Sequence, residues 1–314
     1  MRHIRTAALG AAILALIVSA CSLGGGSSAS NGTIASQLAL AGPAECPDRP
    51  FCLKGLTEKY GLTFKEFKPT DPGGPITVAA LKNGDVQVGL LFTSDPVIAT
   101  NGFVLLEDDK QLQLADNLVP VVRQSALDAN PVIKDALNAV SAKLSQAALT
   151  DLNKQVTVDG KAATDVAKAW IAAQGFSFSG GSGTVKVGST NFYEQEILGE
   201  IYAQVLEGAG ITVERKFQLG NREIVFPALE AGDIDVLAEY AATALEFVNK
   251  GAGEASTDPA ATVAKLNGHL SGMGGGLVAL DPAAATDQNG FVVTKATADT
   301  YGLVKLSDLA KPAP

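Results

Sequence analysis

The chain has 314 residues, with 24 Lys and Arg against 33 Asp and Glu, and its formal net charge is −9 at pH 7. This balance argues against nucleic acid as a partner, because nucleic-acid binding relies on clustered positive charge. The length allows either one large hydrophobic core or two cores of medium size.

Residues 1–21 are predicted to be a secretory signal rather than part of the fold. Arg2 and Arg5 precede an apolar run, and small residues follow it up to Cys21. The ending "VSAC" resembles the bacterial lipobox, in which the cysteine is acylated. An ordinary signal peptide cleaved nearby, with Cys21 incidental, is the alternative. Residues 22–35 are rich in Gly and Ser and are predicted to be a flexible tether.

Two further cysteines, Cys46 and Cys52, lie close together in "PAECPDRPFCLKG". A secreted chain can hold a disulfide, and an even number of cysteines favours one. A zinc site is the rival interpretation, but zinc needs more ligands, and His269 is the one histidine after the leader. We therefore expect a disulfide, no metal site and no cofactor.

A repeated unit organises the rest of the chain. "ALKNGDVQVGLLF" begins at Ala80 and "ALEAGDIDVLAEY" begins at Ala228, so both read Ala-Leu-x-x-Gly-Asp-apolar-x-Val. Each pattern predicts a helix that ends at a left-handed glycine, Gly84 or Gly232, followed by a short strand. Strand–helix–strand units of this length favour parallel sheets covered by helices. The repeat therefore predicts two similar α/β halves.

Each repeated strand ends on an aromatic residue, Phe92 in the first unit and Tyr240 in the second. Ligands of open parallel sheets bind beyond the carboxyl ends of the strands. A core position is the alternative for either aromatic alone. Because the two positions match and polar residues follow both, we expect a binding site.

From Thr184 onward the chain resembles the osmoprotectant-binding proteins of ABC importers, the glycine betaine/choline substrate-binding family. "VKVGSTNFYEQEILGEIYAQVLEGAGI", "LGNREIVFPALEAGDIDVLAEYAATAL" and "NGFVVTKATADTYGLVKLSDLAKPAP" resemble the N-terminal half of that family. "LAGPAECPDRPFCLKGLTEKYGL" and "DPGGPITVAALKNGDVQVGLLFTSDP" resemble its C-terminal half. The halves therefore stand in reversed order, and the Gly/Ser linker 177–184 joins the family's usual C- and N-termini. We interpret the chain as a circular permutant, which a fold tolerates when its termini lie close together.

The resemblance implies a two-lobed α/β fold of the type II periplasmic-binding-protein kind, with the ligand in the cleft between the lobes. Carried onto this chain, it implies one continuous lobe at 91–285. The other lobe combines 36–90 with 286–314. It also implies an extracytoplasmic monomer, anchored to the membrane through lipid on Cys21, that delivers its solute to the transmembrane subunits of an ABC permease.

Ligands of this family are often quaternary ammonium ions, which aromatic faces attract through their quadrupole. The aromatic cage is incomplete here, since Asn289 stands where an aromatic is expected. Arg222 could hold an anionic group of the ligand or pair with Glu223 or Glu239. The residues expected to face the ligand are Phe92, Thr93, Asp95, Thr190, Asn191, Phe192, Arg222, Tyr240, Thr243 and Asn289.

Other functions fit the sequence less well. A bulkier or more polar solute on the same fold is the nearest alternative, because the cage is incomplete. An enzyme would need a nucleophile with its base, and the sequence shows no such set, P-loop or dinucleotide fingerprint. A scaffold lipoprotein with a decayed site is the remaining possibility. The sequence therefore predicts a solute-binding protein rather than an enzyme.

The lipobox predicts that Cys21 attaches the protein to the membrane. Replacing Cys21 with Ser should move the protein from the membrane fraction to the soluble fraction, because the acylated side chain is lost. Immunoblotting of both fractions measures the shift. An unchanged membrane fraction would contradict the lipoprotein prediction.

Overall fold

The computed structural model describes residues 32–314, which form two α/β lobes, each built on a five-stranded sheet. The predicted leader, Cys21 and most of the predicted tether lie outside the described residues. Within 32–314, no helix is both long and apolar enough to cross a bilayer.

The first lobe contains both ends of the described chain. Its strands are β1 (Ala39–Pro43), β2 (Glu66–Thr70), β3 (Val88–Phe92), β4 (Phe103–Leu105) and β10 (Asn289–Thr294). Its α-helices are α1 (Leu53–Tyr60), α2 (Pro75–Asn83), α3 (Val97–Thr100) and α12 (Lys295–Tyr301). The strand order is β2-β1-β3-β10-β4; the first three strands are parallel, and β10 runs antiparallel between β3 and β4.

The second lobe has the same plan. Its strands are β5 (Leu118–Arg123), β6 (Thr184–Gly188), β7 (Thr212–Lys216), β8 (Val236–Tyr240) and β9 (Leu277–Ala279). Its helices are α4 (Gln124–Ala129), α5 (Val132–Lys143), α6 (Gln146–Thr157), α7 (Ala163–Gln174), α8 (Tyr193–Gly208), α9 (Arg222–Ala231), α10 (Ala241–Val248) and α11 (Pro259–Leu270). The order β7-β6-β8-β5-β9 repeats the first sheet, with β5 antiparallel in the place of β10.

The repeated sequence units occupy equivalent places in the two lobes. Helix α2 ends at Gly84 and α9 at Gly232, and both glycines adopt the left-handed conformation with φ of 78° and 83°. The strands that follow, β3 and β8, are each the third strand of their sheet. The two similar α/β halves predicted from the repeat are therefore present.

The two ends of the described chain meet in the first lobe. Thr33 pairs with Pro312 in an antiparallel bridge. The Ile34 N–H donates to the Lys311 carbonyl at 2.9 Å. Ile34 and Ala35 are buried, so the fold begins inside the predicted tether 22–35 rather than at residue 36.

The sheet topology also corrects the predicted boundary between the lobes at residues 90/91. That position falls inside β3, and the short strand β4 pairs with β10 in the same sheet, Phe103 opposite Thr294. The chain leaves the first lobe along 106–117, which we call the first crossover, and returns along 280–288, the second crossover. The first lobe is thus longer than predicted, because β4 lies beyond the repeated unit.

The two crossovers are paired with each other. Asn117 and Thr286 form an antiparallel bridge, and the Asp287 N–H donates to the Asp116 carbonyl at 3.2 Å. Two adjacent segments joining two lobes form a natural hinge.

The Gly/Ser connector between α7 and β6 is largely exposed, although contacts pin it to the second lobe. Phe176 packs beside Trp170, with ring centroids 5.8 Å apart. The Gly181 N–H donates to the Ala209 carbonyl at 2.9 Å, and the Ser182 N–H donates to Asn130 Oδ1 at 2.9 Å.

Cys46 and Cys52 form a disulfide with their Cα atoms 5.2 Å apart. Both cysteines are buried in the first-lobe core beside Leu56. The bond holds the loop that precedes α1, and this loop carries side chains to the cleft described below.

We propose that the chain is circularly permuted relative to the family it resembles, and the adjacent chain ends allow a direct test. A rearranged chain would begin at Thr184, run to Pro314, continue through a short Gly/Ser link into Gly32, and end at Phe178. It should fold with a thermal midpoint close to that of the parent, because the Ala313 N–H already lies 2.9 Å from the Gly32 carbonyl and closing a short loop costs little.

Circular dichroism and thermal melting compare the rearranged chain with the 32–314 parent carrying the same link as a terminal extension. A folded parent beside an unfolded rearranged chain would contradict the permutation.

Candidate functional site

A cavity of about 490 Å³ lies between the two sheets, beyond the carboxyl ends of β3 and β8. Most of the residues expected to face a ligand line it: Phe92, Thr190, Asn191, Phe192, Arg222, Tyr240, Thr243 and Asn289. Matching strand ends from the two lobes therefore meet at one cleft.

Thr93 and Asp95, which were also expected to face the ligand, do not line the cavity. Thr93 Oγ1 accepts a hydrogen bond from the Gln288 N–H at 3.0 Å, and Asp95 Oδ1 accepts one from the Val97 N–H at 2.8 Å. Both side chains bind backbone groups, one beside the second crossover and one at the start of α3. Their polar atoms organise the turn after β3.

Aromatic rings form one wall of the cleft. Phe92 and Phe192 come from different lobes and pack with ring centroids 4.4 Å apart. Tyr240 is 8% exposed at the end of β8, and Phe51, also 8% exposed, comes from the disulfide loop. Asn289 is committed to this loop, because its Nδ2 donates to the Phe51 carbonyl at 2.9 Å. The wall therefore brings several aromatic side chains to one cavity.

The hydroxyl of Tyr240 anchors its ring to a buried carboxylate. Tyr240 Oη donates to Glu194 Oε1 at 2.6 Å. Glu194 Oε2 accepts from Ser94 Oγ at 2.7 Å and from Asn153 Nδ2 at 2.6 Å. Burial raises the pKa of Glu194 although these hydrogen bonds oppose the shift. The network holds Tyr240 in place and joins the turn after β3 to α6 and α8.

Arg222 forms a bidentate ion pair with Glu239. Arg222 Nε lies 3.0 Å from Glu239 Oε1, and Arg222 Nη2 lies 2.7 Å from Glu239 Oε2. The side chains are 10% and 2% exposed. Burial opposes the charge, but Glu239 raises the pKa of Arg222 above its ordinary value. Arg222 therefore pairs with Glu239, which was one of the partners that the sequence offered for it.

Two buried carboxylates, Asp116 and Asp287, face the cavity from the two crossovers. Asp116 Oδ1 accepts from the Thr243 N–H at 2.9 Å, and Asp287 Oδ1 accepts from the Ser94 N–H at 3.1 Å. Burial raises the pKa of Asp116 to about 7. Burial, and then the neighbouring Glu194, raise the pKa of Asp287 well above its usual range.

At the rim, an ion pair bridges the cleft. Arg49 Nη2 lies 2.9 Å from both carboxylate oxygens of Glu223, and Arg49 also lies 3.3 Å from Glu45. Arg49 belongs to the first lobe and Glu223 to α9 of the second. Both side chains are partly exposed, so solvent screens the pair and its contribution is small.

A family model described as the substrate binding domain of the ABC-type glycine betaine transport system matches residues 29–173 and 183–314. The chain belongs to this substrate-binding family. This membership confirms the expectation of a binding protein rather than an enzyme.

Curated relatives share part of the sequence. The glycine betaine-binding protein YehZ of Escherichia coli is 32% identical over 130 residues, which cover 40% of this chain and 41% of that protein. The carnitine transport binding protein OpuCC of Listeria monocytogenes is 29% identical over 108 residues, covering 34% of each chain. The chain therefore matches less than half the length of these relatives.

Among solved structures, an ancestral arginine-binding protein bound to arginine is similar with a TM-score of 0.40 and 16% identity, covering 88% of this chain and 89% of that one. The probable amino-acid ABC transporter extracellular-binding protein YtmK from Bacillus subtilis is similar with a TM-score of 0.40 and 12% identity, covering 87% and 89%.

Several polar groups that line this cleft could not be predicted from the sequence. Asp116 and Asp287 belong to no repeated motif, and Gln195 and Arg49 lie in segments that read as an ordinary helix and loop. The sequence feature that could have indicated Asp287 is the polar run "TDQN", which contains it and ends at Asn289. The signal for Asp116 was an isolated polar pair before the apolar run "LVPVV".

The Arg222–Glu239 pair predicts a large stability effect in the substrate-binding domain. Replacing Arg222 with Met should lower the free energy of unfolding by about 3–5 kcal/mol, because Glu239 is left buried without its counter-ion. Replacing both residues with Met should recover most of that loss, since no uncompensated charge remains.

Urea denaturation measures the three stabilities. The matched control is Lys295→Met, which breaks the exposed Lys295–Asp299 pair and should leave the urea midpoint nearly unchanged. If Arg222→Met is no more destabilising than this control, the pair does not carry the stability assigned to it.

Proposed function

We propose that the protein is the extracytoplasmic solute-binding lipoprotein of an ABC importer. It binds a quaternary ammonium compound of the osmoprotectant type, such as glycine betaine or choline, in the cleft between its lobes. The single observation that carries this proposal is that aromatic rings and buried carboxyl groups line the same cavity. Family membership and the functions for which the relatives are named support the transport role.

A quaternary ammonium ion has no N–H donor and spreads its charge over methyl groups. The rings of Phe51, Phe92, Phe192 and Tyr240 line the cavity, and aromatic rings attract such an ion through their quadrupole and their apolar surface. The carboxylates of Asp116 and Asp287 add negative charge to the same cavity. Apolar contact and negative potential are the two properties that a methylated cation requires.

The remaining roles rest on the sequence and on the family. A lipid on Cys21, followed by the Gly/Ser tether, would hold the binding protein at the membrane surface. There it would deliver its solute to the permease subunits as a monomer. The two matched segments of the family model are interrupted between residues 173 and 183, at the connector, which supports the proposed permutation.

The role of the Tyr240 ring can be separated from the role of its hydroxyl. Tyr240→Phe and Tyr240→Leu both remove the hydrogen bond to Glu194, but only Phe keeps an aromatic face. A desolvated cation over such a face gains about 2 kcal/mol, so Tyr240→Leu should bind the ligand roughly tenfold or more weakly than Tyr240→Phe.

Isothermal titration with choline and glycine betaine gives the dissociation constants, and thermal melting confirms that both variants are folded. Equal affinity of the folded Leu and Phe variants would assign Tyr240 to packing alone. Failure of the native protein to bind either compound would overturn the proposed function.

A further inference from the structure

The charge that is buried in this protein has one sign. Over residues 32–314, every fully buried charged side chain is a carboxylate. Four of these buried acids lie on the wall of the cleft, namely Asp116, Glu239, Glu246 and Asp287. Glu194 lies directly behind them against Tyr240. The cleft therefore places several carboxyl groups around whatever occupies it.

Two of these acids are already compensated by the protein. Glu239 is paired with Arg222, whose side chain remains 10% exposed. Glu246 accepts hydrogen bonds from the N–H groups of Gly253 and Ala255, both at 2.7 Å. The positive charge of Arg222 is consequently balanced before any ligand arrives.

Asp116 and Asp287 differ, because no basic side chain forms a salt bridge with either of them among the described residues. Their hydrogen bonds from Thr243 and Ser94 satisfy one oxygen of each carboxylate. They lie on adjacent crossovers, whose backbones are joined by the Asp287 N–H and the Asp116 carbonyl. Two neighbouring carboxylates that face one cavity repel each other unless a proton or a cation lies near them.

Gln195 also lines the cavity, but its Oε1 atom is buried and has no hydrogen-bond partner. The basic side chains Lys54 and Lys250 also line the cavity, but both residues are exposed to solvent, where water screens their charge.

We infer that the cleft selects a ligand of net positive charge without a carboxylate, a cation of the choline kind, and that Asp116 and Asp287 are the residues that exclude zwitterions. This inference rests on the proposed function and narrows its ligand class. A zwitterion of the betaine kind would place its carboxylate beside Asp116 and Asp287, whereas a cation at the same place would favour the ionised forms of these two groups. Such a carboxylate gains affinity only from donors or positive charge.

The test compares three probes in titration calorimetry: choline, glycine betaine and the uncharged carbon isostere of choline. The native protein should bind choline at least tenfold more tightly than either of the others. Asp116→Asn and Asp287→Asn keep the carbonyl oxygens that accept from Thr243 and Ser94. Each variant should reduce the ratio of choline affinity to betaine affinity by about tenfold.

Asp281→Asn is the matched control, because Asp281 lies on the same second crossover but is exposed and does not line the cavity. It should leave the ratio unchanged. Thermal melting shows that all variants are folded.

Tighter binding of betaine than of choline by the native protein would overturn the inference and leave the proposed function standing. A choline preference that survives in both cleft variants would also overturn it. If none of the probes binds, the proposed function fails together with the inference.

Discussion

The cleft depends on carboxyl groups that are buried where the two crossovers join the lobes. Removing a carboxylate from water is costly unless hydrogen bonds, a counter-ion or a proton compensate it. The protein compensates Glu194 with donors from three elements, and Glu239 with Arg222. Among the described residues, Asp116 and Asp287 face the cavity without a salt bridge, so a cationic ligand there would stabilise their ionised forms.

The same positions connect the cleft to both lobes. Asp116 and Asp287 lie on the paired crossovers, and Ser94 reaches from the end of β3 to Glu194 in the second lobe. A cation held by these groups would interact with the hinge as well as with both walls. A ligand shifts a two-state equilibrium only as far as it binds one state better. Contacts to the crossovers and to Phe92 and Phe192 together would favour the arrangement in which the two rings meet.

Much of the fold was predictable because it depends on local signals that occur twice. The repeated Ala-Leu-x-x-Gly-Asp pattern predicted the ends of α2 and α9 and the strands β3 and β8. It also predicted that Phe92 and Tyr240 end equivalent strands and reach one site. These features follow from helix capping and from the position of ligands at parallel strand ends.

The remaining features depend on contacts between distant segments. The lobe boundary was placed too early because β4 is a three-residue strand whose place is set by pairing with β10, far away in sequence. Thr93 and Asp95 share the polar run after Phe92, but the turn directs them to backbone groups. Asp116 and Asp287 meet only because the crossovers pair, which no local pattern encodes.

The central claim is that a permanent cation takes the place of protons on buried carboxylates of the cleft. Since the pKa of Asp116 is about 7 in the free protein, binding near pH 7 should favour the ionised carboxylate and release protons to the buffer. Isothermal titration calorimetry with choline, repeated at one pH in buffers of different ionisation enthalpy, counts those protons. The account predicts a net release that becomes smaller in Asp116→Asn. Choline binding without proton release, or with proton uptake, would contradict it.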